Sequence, residues 1–426
     1  MKVVICGAGL AGLTLANRVS ALGGEVVLLE RAPGPRIQGY MIDFFGPGYD
    51  AVEAMGLLPA IEDLAYHVDE ASFVDEHGHR RAGVRAEQFA SGPLLNIMRP
   101  DLECVLRDQL PPEVDLRFGT GPVAVAERDD DVRVTLDDGT ELEADLLVGA
   151  DGIHSTVRRL VFGEESQFLR YLGFHTAAFT FDAPQIHAAT RGRFCLTDTV
   201  GRQMGFYALR DGRVAVFAAH RTPAPALPHD VRTAVRDSYR GLGWVVPEAL
   251  DRCPPAAEVY YDQVAQIEMP RWSTGRVVLV GDACYAVSLL AGQGASLGIA
   301  GAYLLAEQLA GAPSLGQALL DYERLWRPVA EEKQRAGRAG ARWFLPETVV
   351  QLRVRRAVLR LAGLPVINRY VAAILAGKST ALIKNLPAQH RDQRRAATPT
   401  GLPHPGIRHC RPEHAPLFPL TGARLR

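Results

Sequence analysis

No run of about 18 apolar residues occurs in this 426-residue chain, so no membrane-spanning helix is expected. A charge of one sign is lacking too. The 47 Lys and Arg balance 48 Asp and Glu to a formal −1, and the basic residues are spread along the chain, which argues against a nucleic-acid surface. Cysteine is sparse, and Cys6, Cys104, Cys195, Cys253, Cys284 and Cys410 show neither a CxxC pair nor a Cys/His spacing. No familiar zinc module is indicated, and the expectation is reduced thiols, no metal and a cytoplasmic location. The chain enters an apolar strand at Val3, so no secretory leader is expected. Internal repeats are not evident. With 47% hydrophobic and 22% charged residues the chain reads as ordinary globular protein, long enough for two joined domains.

Glycine supplies the first positive signal. Val3-Val4-Ile5-Cys6 reads as a buried parallel strand, Gly7-Ala8-Gly9-Leu10-Ala11-Gly12 follows at GxGxxG spacing, and Leu10 to Leu22 have helical periodicity. Glu25 to Leu29 form the next strand, ending at Glu30. This is the strand–turn–helix–strand context of a dinucleotide loop. Gly7 allows the tight turn, Gly9 lets the backbone approach a pyrophosphate, and Gly12 lets helix and strand pack closely. The helix N-terminus offers N–H groups to an anion, worth about 0.3–1 kcal/mol. Glu30 is placed to bond ribose hydroxyls.

Two further signatures follow in order. Gly149-Ala150-Asp151-Gly152-Ile153-His154-Ser155-Thr156-Val157-Arg158 comes after the apolar strand Leu146-Leu147-Val148, and Asp151 can also cap the helix starting near Ser155. Gly281-Asp282-Ala283 ends a strand over 276–280, and Gly292-Gln293-Gly294 opens a long helix from about Ala295 to Leu309. The three signatures together resemble the single-component, group A FAD-dependent aromatic monooxygenases of the p-hydroxybenzoate hydroxylase type. The segment from Arg31 through Arg36 and Gly39 to Asp43 is similar to that of tetracycline-inactivating flavin monooxygenases.

The resemblance implies FAD held by Gly7, Gly9, Ala11, Gly12, Glu30, Arg31, Arg99, Asp151, Gly281, Asp282, Gly292, Gly294 and Ala295. It places Asp151 at the pyrophosphate and in nicotinamide binding, Asp282 at the ribityl hydroxyls, and the Gly294 helix at the flavin pyrimidine edge, where N–H groups favour reduced, anionic flavin. Arg36 and Asp43 would approach the isoalloxazine. Arg99, ahead of a helix over 102–110, would lie near the ribose and ring. Two departures stand out: Cys284-Tyr285 where the family usually has Ala-His, and Ser288-Leu289-Leu290 where a proline usually precedes the Gly-x-Gly turn.

The expected fold is mixed α/β (α+β): a discontinuous Rossmann-like FAD-binding domain over 1–160 and 271–315, a β-sheet substrate domain over 161–270, C-terminal helices over 316–387, and a Pro-, His- and Arg-rich disordered tail over 388–426. The hairpin over 203–218 roofs the substrate cavity by resemblance, with Phe206, Tyr207, Phe217 and His220 as lining candidates, only one face of which can point inward. The Arg-rich helix near 349–361 reads as a solvated amphipathic face rather than a membrane contact.

The function so implied is NAD(P)H- and O2-consuming hydroxylation of an aromatic or polycyclic small molecule through a flavin C4a-hydroperoxide. His220 and Tyr285 are candidate bases beside Arg36 and Asp43. The chain is expected as a monomer or homodimer. A flavin oxidase or dehydrogenase is the alternative motivated by the departures at 284–290. A non-catalytic FAD sensor lacks specific support. A flavin halogenase would carry a WxWxIP signature, and Trp244 stands alone.

Overall fold

The computed structural model describes residues 1–36, 38–85, 92–288, 292–361 and 380–386. Leu289, Leu290 and the tail over 388–426 lie outside the described residues.

Val3, Val4 and Ile5 are fully buried, as a strand covered on both faces requires. They belong to a six-stranded sheet ordered Ser273–Thr274, Val277–Leu279, Leu146–Gly149, Lys2–Cys6, Glu25–Glu30, Asp115–Phe118. All its pairings are parallel except that of the short Ser273–Thr274 edge. The strands ending at Cys6, Gly149 and Leu279 are therefore neighbours running the same way, and all three glycine-rich signatures leave from one carboxyl edge. In open α/β sheets that edge is where ligands bind.

Small residues then draw the signatures together. A Cβ on Gly281 would stand 3.0 Å from the Cβ of Ala11, and one on Gly298 would stand 3.6 Å from it. The helices Leu10–Ala21 and Gly294–Gly311 thus converge on the Gly281 turn. Arg158, in the short helix Thr156–Val161, is fully buried and donates to the carbonyl of Ala283 (2.9 Å) and that of Ile153 (2.6 Å), tying the middle signature to the third.

A seven-stranded sheet forms the second layer, ordered Tyr260–Ile267, Leu169–Phe181, Val214–Arg221, Arg202–Ala208, Arg193–Thr197, Glu70–Val74, Arg80–Arg85. The expected hairpin is its centre. Its last two strands come from within 1–160, so the sheet is not confined to 161–270. Glu70–Val74 pairs parallel with Arg193–Thr197, a contact no local pattern announces. One face of this sheet is filled by Phe179, Met204, Phe206 and Val216 with Val235, Tyr239 and Val246 from two covering helices. The other face turns toward the cavity. Between the layers lies a ribbon of Met41–Phe45 and Leu94–Met98, in which Asp43 directly opposes Asn96.

The C-terminal region is helical over Leu315–Phe344 and Val349–Leu361. The arginines of the second helix are not all solvated. Arg355 donates to Asp198 at 2.7 Å with both side chains buried, and Arg356 also bonds Asp198. Among the described residues no helix is long and apolar enough to cross a membrane.

Candidate functional site

A single cavity of about 1450 Å³ runs from the carboxyl edge of the parallel sheet to the inner face of the seven-stranded sheet. Pockets for one drug-sized ligand span about 300–1,000 Å³, so this one has room for a cofactor and a substrate.

The glycines sort by what a side chain would meet. A Cβ on Gly7, whose φ is +106°, would run into the backbone of Ala150, and one on Gly12 would run into the carbonyl of Gly7. Both serve internal packing. A Cβ on Gly9 would meet nothing nearer than the Glu103 carboxylate at 3.7 Å and the Arg99 guanidinium at 3.8 Å. Gly9 is also the N-cap of the Leu10–Ala21 helix and provides no side-chain cap. Uncapped N–H groups beneath an open cradle fit a pyrophosphate.

The polar groups around this cradle have distinct partners. Glu30 accepts from Ala8 N (3.0 Å) and Ala32 N (2.9 Å), so its carboxylate is fixed at the turn and faces the cavity. Arg99 pairs with Glu103 at 3.0 Å. Asp282 is open to the cavity and makes no hydrogen bond among the described residues, and a Cβ on Gly294 at the start of the long helix would stand 3.7 Å from it. Loss of bulk solvent lifts its carboxyl above the usual range, opposed by Arg99. An acceptor without a protein partner suits ribityl hydroxyls. Arg31, Ala11, Gly281, Gly292 and Ala295 also line this end, and Gly292 takes φ +63°.

Arg36 and Asp43 are not brought together. The Arg36 side chain is 56% exposed and stands 3.9 Å from Glu30. Asp151 spends its carboxylate internally, accepting from Ser155 Oγ, from Thr156 N (2.7 Å) and from Val157 N (3.0 Å), while Ser155 is the helix N-cap. Asp151 still lines the cavity and holds the Gly149–Gly152 turn in shape.

His154 straps that turn to the upper sheet, with Nε2 3.3 Å from Asp262 and Nδ1 3.1 Å from Glu165. The Asp262 hydrogen bond, then the charges of Asp262 and Glu165, raise its pKa to about 9 against burial. The unfolded value is about 6.5. The strap's stabilisation is therefore complete below about pH 6.5 and lost as pH rises through about 9. The melting temperature of the parent should fall more across that window than that of His154→Gln. Parallel pH profiles would remove the strap.

Aromatic rings line the cavity from beside Arg99 outward. Phe217 and Tyr260 both meet the Tyr40 ring, at 5.7 Å each, and Tyr207 crosses Phe194 edge-on at 5.4 Å. Tyr207 Oη accepts from Met41 N at 2.6 Å, which fixes the ribbon under the sheet. Asp43 faces the cavity and accepts from Asn96 Nδ2 at 2.6 Å. Burial pushes its carboxyl up to about 6, with Asn96 opposing. Ser296 anchors the same ribbon, donating to Phe45 O (2.6 Å) and accepting from Gly48 N (2.9 Å). Sequence reasoning named neither Asn96 nor Tyr40 nor Ser296.

Strand alternation decides the remaining candidates. Tyr207 and Phe217 line the cavity, whereas Phe206 and His220 point to the opposite face. His220 there meets Tyr239 Oη at 3.2 Å and Ser238 Oγ at 3.3 Å, and burial lowers its pKa to about 4. It is not a base for a cavity substrate. Nor is Tyr285, which is buried against Trp272 (4.9 Å) outside the cavity, with burial holding its phenol far above the usual range. Cys284 is equally buried. Trp244 packs on Phe206 behind the sheet. Among the described residues no cluster could hold a metal.

Residues 1–335 match the family model described as an FAD binding domain. An uncharacterised protein of Mycobacterium tuberculosis H37Rv is 36% identical over 323 residues, covering 72% of this chain and 84% of its own. A flavin-dependent monooxygenase of Legionella longbeachae is 28% identical over 346 residues, covering 79% and 88%. The tetracycline destructase Tet(51) superposes with a TM-score of 0.75 at 25% identity, covering 89% of this chain and 98% of its own. Klebsiella pneumoniae HpxO, complexed with FAD and uric acid, has the same fold with a TM-score of 0.74 at 21% identity, covering 88% and 97%. With these matches the chain belongs to the FAD-binding-domain family of group A flavin-dependent monooxygenases.

Proposed function

We propose that the protein hydroxylates an aromatic or polycyclic small molecule with FAD, NAD(P)H and O2. The observation that carries this reading is one continuous cavity, lined by the glycine-rich turns and by aromatic rings, with Asp43 in its wall. FAD there supplies hydride uptake and oxygen activation. The uncapped helix at Gly9 binds the pyrophosphate, Glu30 the ribose and Asp282 the ribityl chain. Arg99 stands beside the cradle as a fixed cation. The upper sheet excludes water and holds a planar ring among Tyr40, Phe217 and Tyr260. Asp43, titrating near 6, is ionised at neutral pH and accepts a proton from a phenol or enol as oxygen is inserted. The neighbours named for tetracycline destruction and for a uric acid complex agree with a planar, polar-edged substrate.

The oxidase alternative drew on Cys284-Tyr285 and on Ser288-Leu289-Leu290 in place of a proline. Cys284 and Tyr285 are buried away from the cavity, whereas Ser288 lines it.

The test is anaerobic stopped-flow absorbance of the FAD-loaded protein mixed with NADH or NADPH. The visible flavin band should bleach with one of them, faster when an aromatic ligand is bound. A flavin that neither cofactor reduces contradicts the proposal.

A further inference from the structure

We infer that Gln203 selects the substrate, and that the substrate presents a donor and an acceptor side by side on one edge of its ring system, as a fused-ring lactam does. The inference rests on the aromatic-substrate reading above. Gln203 is 3% exposed at the middle of the seven-stranded sheet and lines the cavity. Neither its Oε1 nor its Nε2 has a hydrogen-bond partner among the described residues.

Two other buried glutamines show what this chain does when a buried amide is structural. Gln266 Nε2 donates to the carbonyls of Val287 and Gln334, both at 2.9 Å, while its Oε1 accepts from Arg338 at 2.6 Å. Gln334 Nε2 donates to Ile267 O at 2.7 Å and Ala286 O at 3.1 Å. A buried amide left unpaired is disfavoured. Of these three glutamines, Gln203 has both amide atoms unpaired, and it lines the cavity.

The register shows what flanks it: on one side a row of three strands, on the other Asp198, whose carboxylate is held by Arg355 and Arg356. Asp262, Thr176, Ala219 and Gln203 stand in one row across four strands. Ala219 beside Gln203 is only a methyl. The Thr176 hydroxyl is already donated to Ala218 O at 3.0 Å. Three strand spacings, about 14 Å in all, separate Gln203 from Asp262, so Gln203 lies toward the end away from the FAD-binding turns. Apolar groups neighbour it on the cavity wall. The Phe194 ring lies where a Cβ on Gly205 would stand, and Leu196 and Phe217 line the same wall. Among the described residues of this wall, the Gln203 carboxamide presents one acceptor and one donor, both without a protein partner. The complement is a ring N–H beside a carbonyl.

The probes are 2-quinolone, 1-methyl-2-quinolone and 2-aminoquinoline, titrated into FAD-loaded protein and read by the perturbation of the flavin visible spectrum. The parent should bind 2-quinolone roughly ten- to a hundredfold tighter than its N-methyl analogue, since methylation leaves the buried amide carbonyl unpaired. Gln203→Leu should bring the two within about threefold by removing both halves of the pairing. Gln203→Glu, which offers acceptors only, should turn the preference toward 2-aminoquinoline, whose protonated edge carries two donors. That gained preference cannot come from a misfolded protein. Equal binding of the two quinolones by the parent, absence of binding, or a preference that survives in Gln203→Leu overturns the inference. A parent that holds and reduces FAD but shows no lactam preference fails this inference alone. A parent that retains no FAD fails the functional reading as well.

Discussion

Gly9→Val should fold and lose FAD, whereas Gly12→Val should lose the fold. The two glycines are close in sequence and differ in what surrounds them. A Cβ on Gly12 runs into the carbonyl of Gly7, backbone against helix, and neither can withdraw without parting the first strand from its helix. Overpacking typically costs about 1–3 kcal/mol and more where backbone must move, against a typical stability of about 5–15 kcal/mol. A Cβ on Gly9 finds its nearest protein atom at 3.7 Å, and Gly9 has φ −80°, which valine adopts readily. The valine methyls would instead fill the place of the pyrophosphate. Losing two or more charge-assisted hydrogen bonds should lower FAD affinity at least roughly a hundredfold. Circular dichroism melting and flavin content after gel filtration separate the outcomes. A Gly9→Val protein that retains FAD as tightly as the parent removes the pyrophosphate from this cradle.

Asp43→Asn should lower substrate turnover by roughly 10²–10⁴-fold while FAD content stays unchanged. The parent carboxyl titrates near 6. Its base form exists above that value, so the parent rate falls as pH drops through about 6, and the variant should lack that limb. The sign for stability is opposite to that of a paired carboxylate. A folded pKa raised by burial means that ionisation works against the fold, so this contribution is lost as pH rises from about 3.8 through about 6. Asp43→Asn should therefore be at least as stable as the parent at neutral pH. An unchanged acid limb in the variant's pH–rate profile would assign proton transfer elsewhere.

Sequence and structure agree where chemistry is written into the backbone. Gly7, Gly9 and Gly12 answer to local sterics, and the strands on either side of them are continuous in sequence, so the parallel sheet and its carboxyl edge could be read directly. Side-chain roles among the aromatic rings could not. Whether Phe217 or His220 faces the cavity depends on the parity of one strand, and no residue nearby fixes that parity. Asn96 meets Asp43 only through a ribbon whose strands are far apart in the chain. Gln203 became visible only once the sheet was assembled and both its amide atoms stood without a partner among the described residues. The family habit of a histidine after the Gly-Asp turn drew attention to Tyr285, yet that position packs on Trp272 in the core.

The central claim is that this cavity inserts oxygen from O2 into a ring held between FAD and the upper sheet. Mass spectrometry of the product formed by FAD-loaded protein under ¹⁸O2, with NAD(P)H and a polycyclic substrate, tests it most directly. The account predicts one labelled oxygen atom in the product. A substrate oxidised without label, with all of the ¹⁸O recovered as hydrogen peroxide or water, would contradict it.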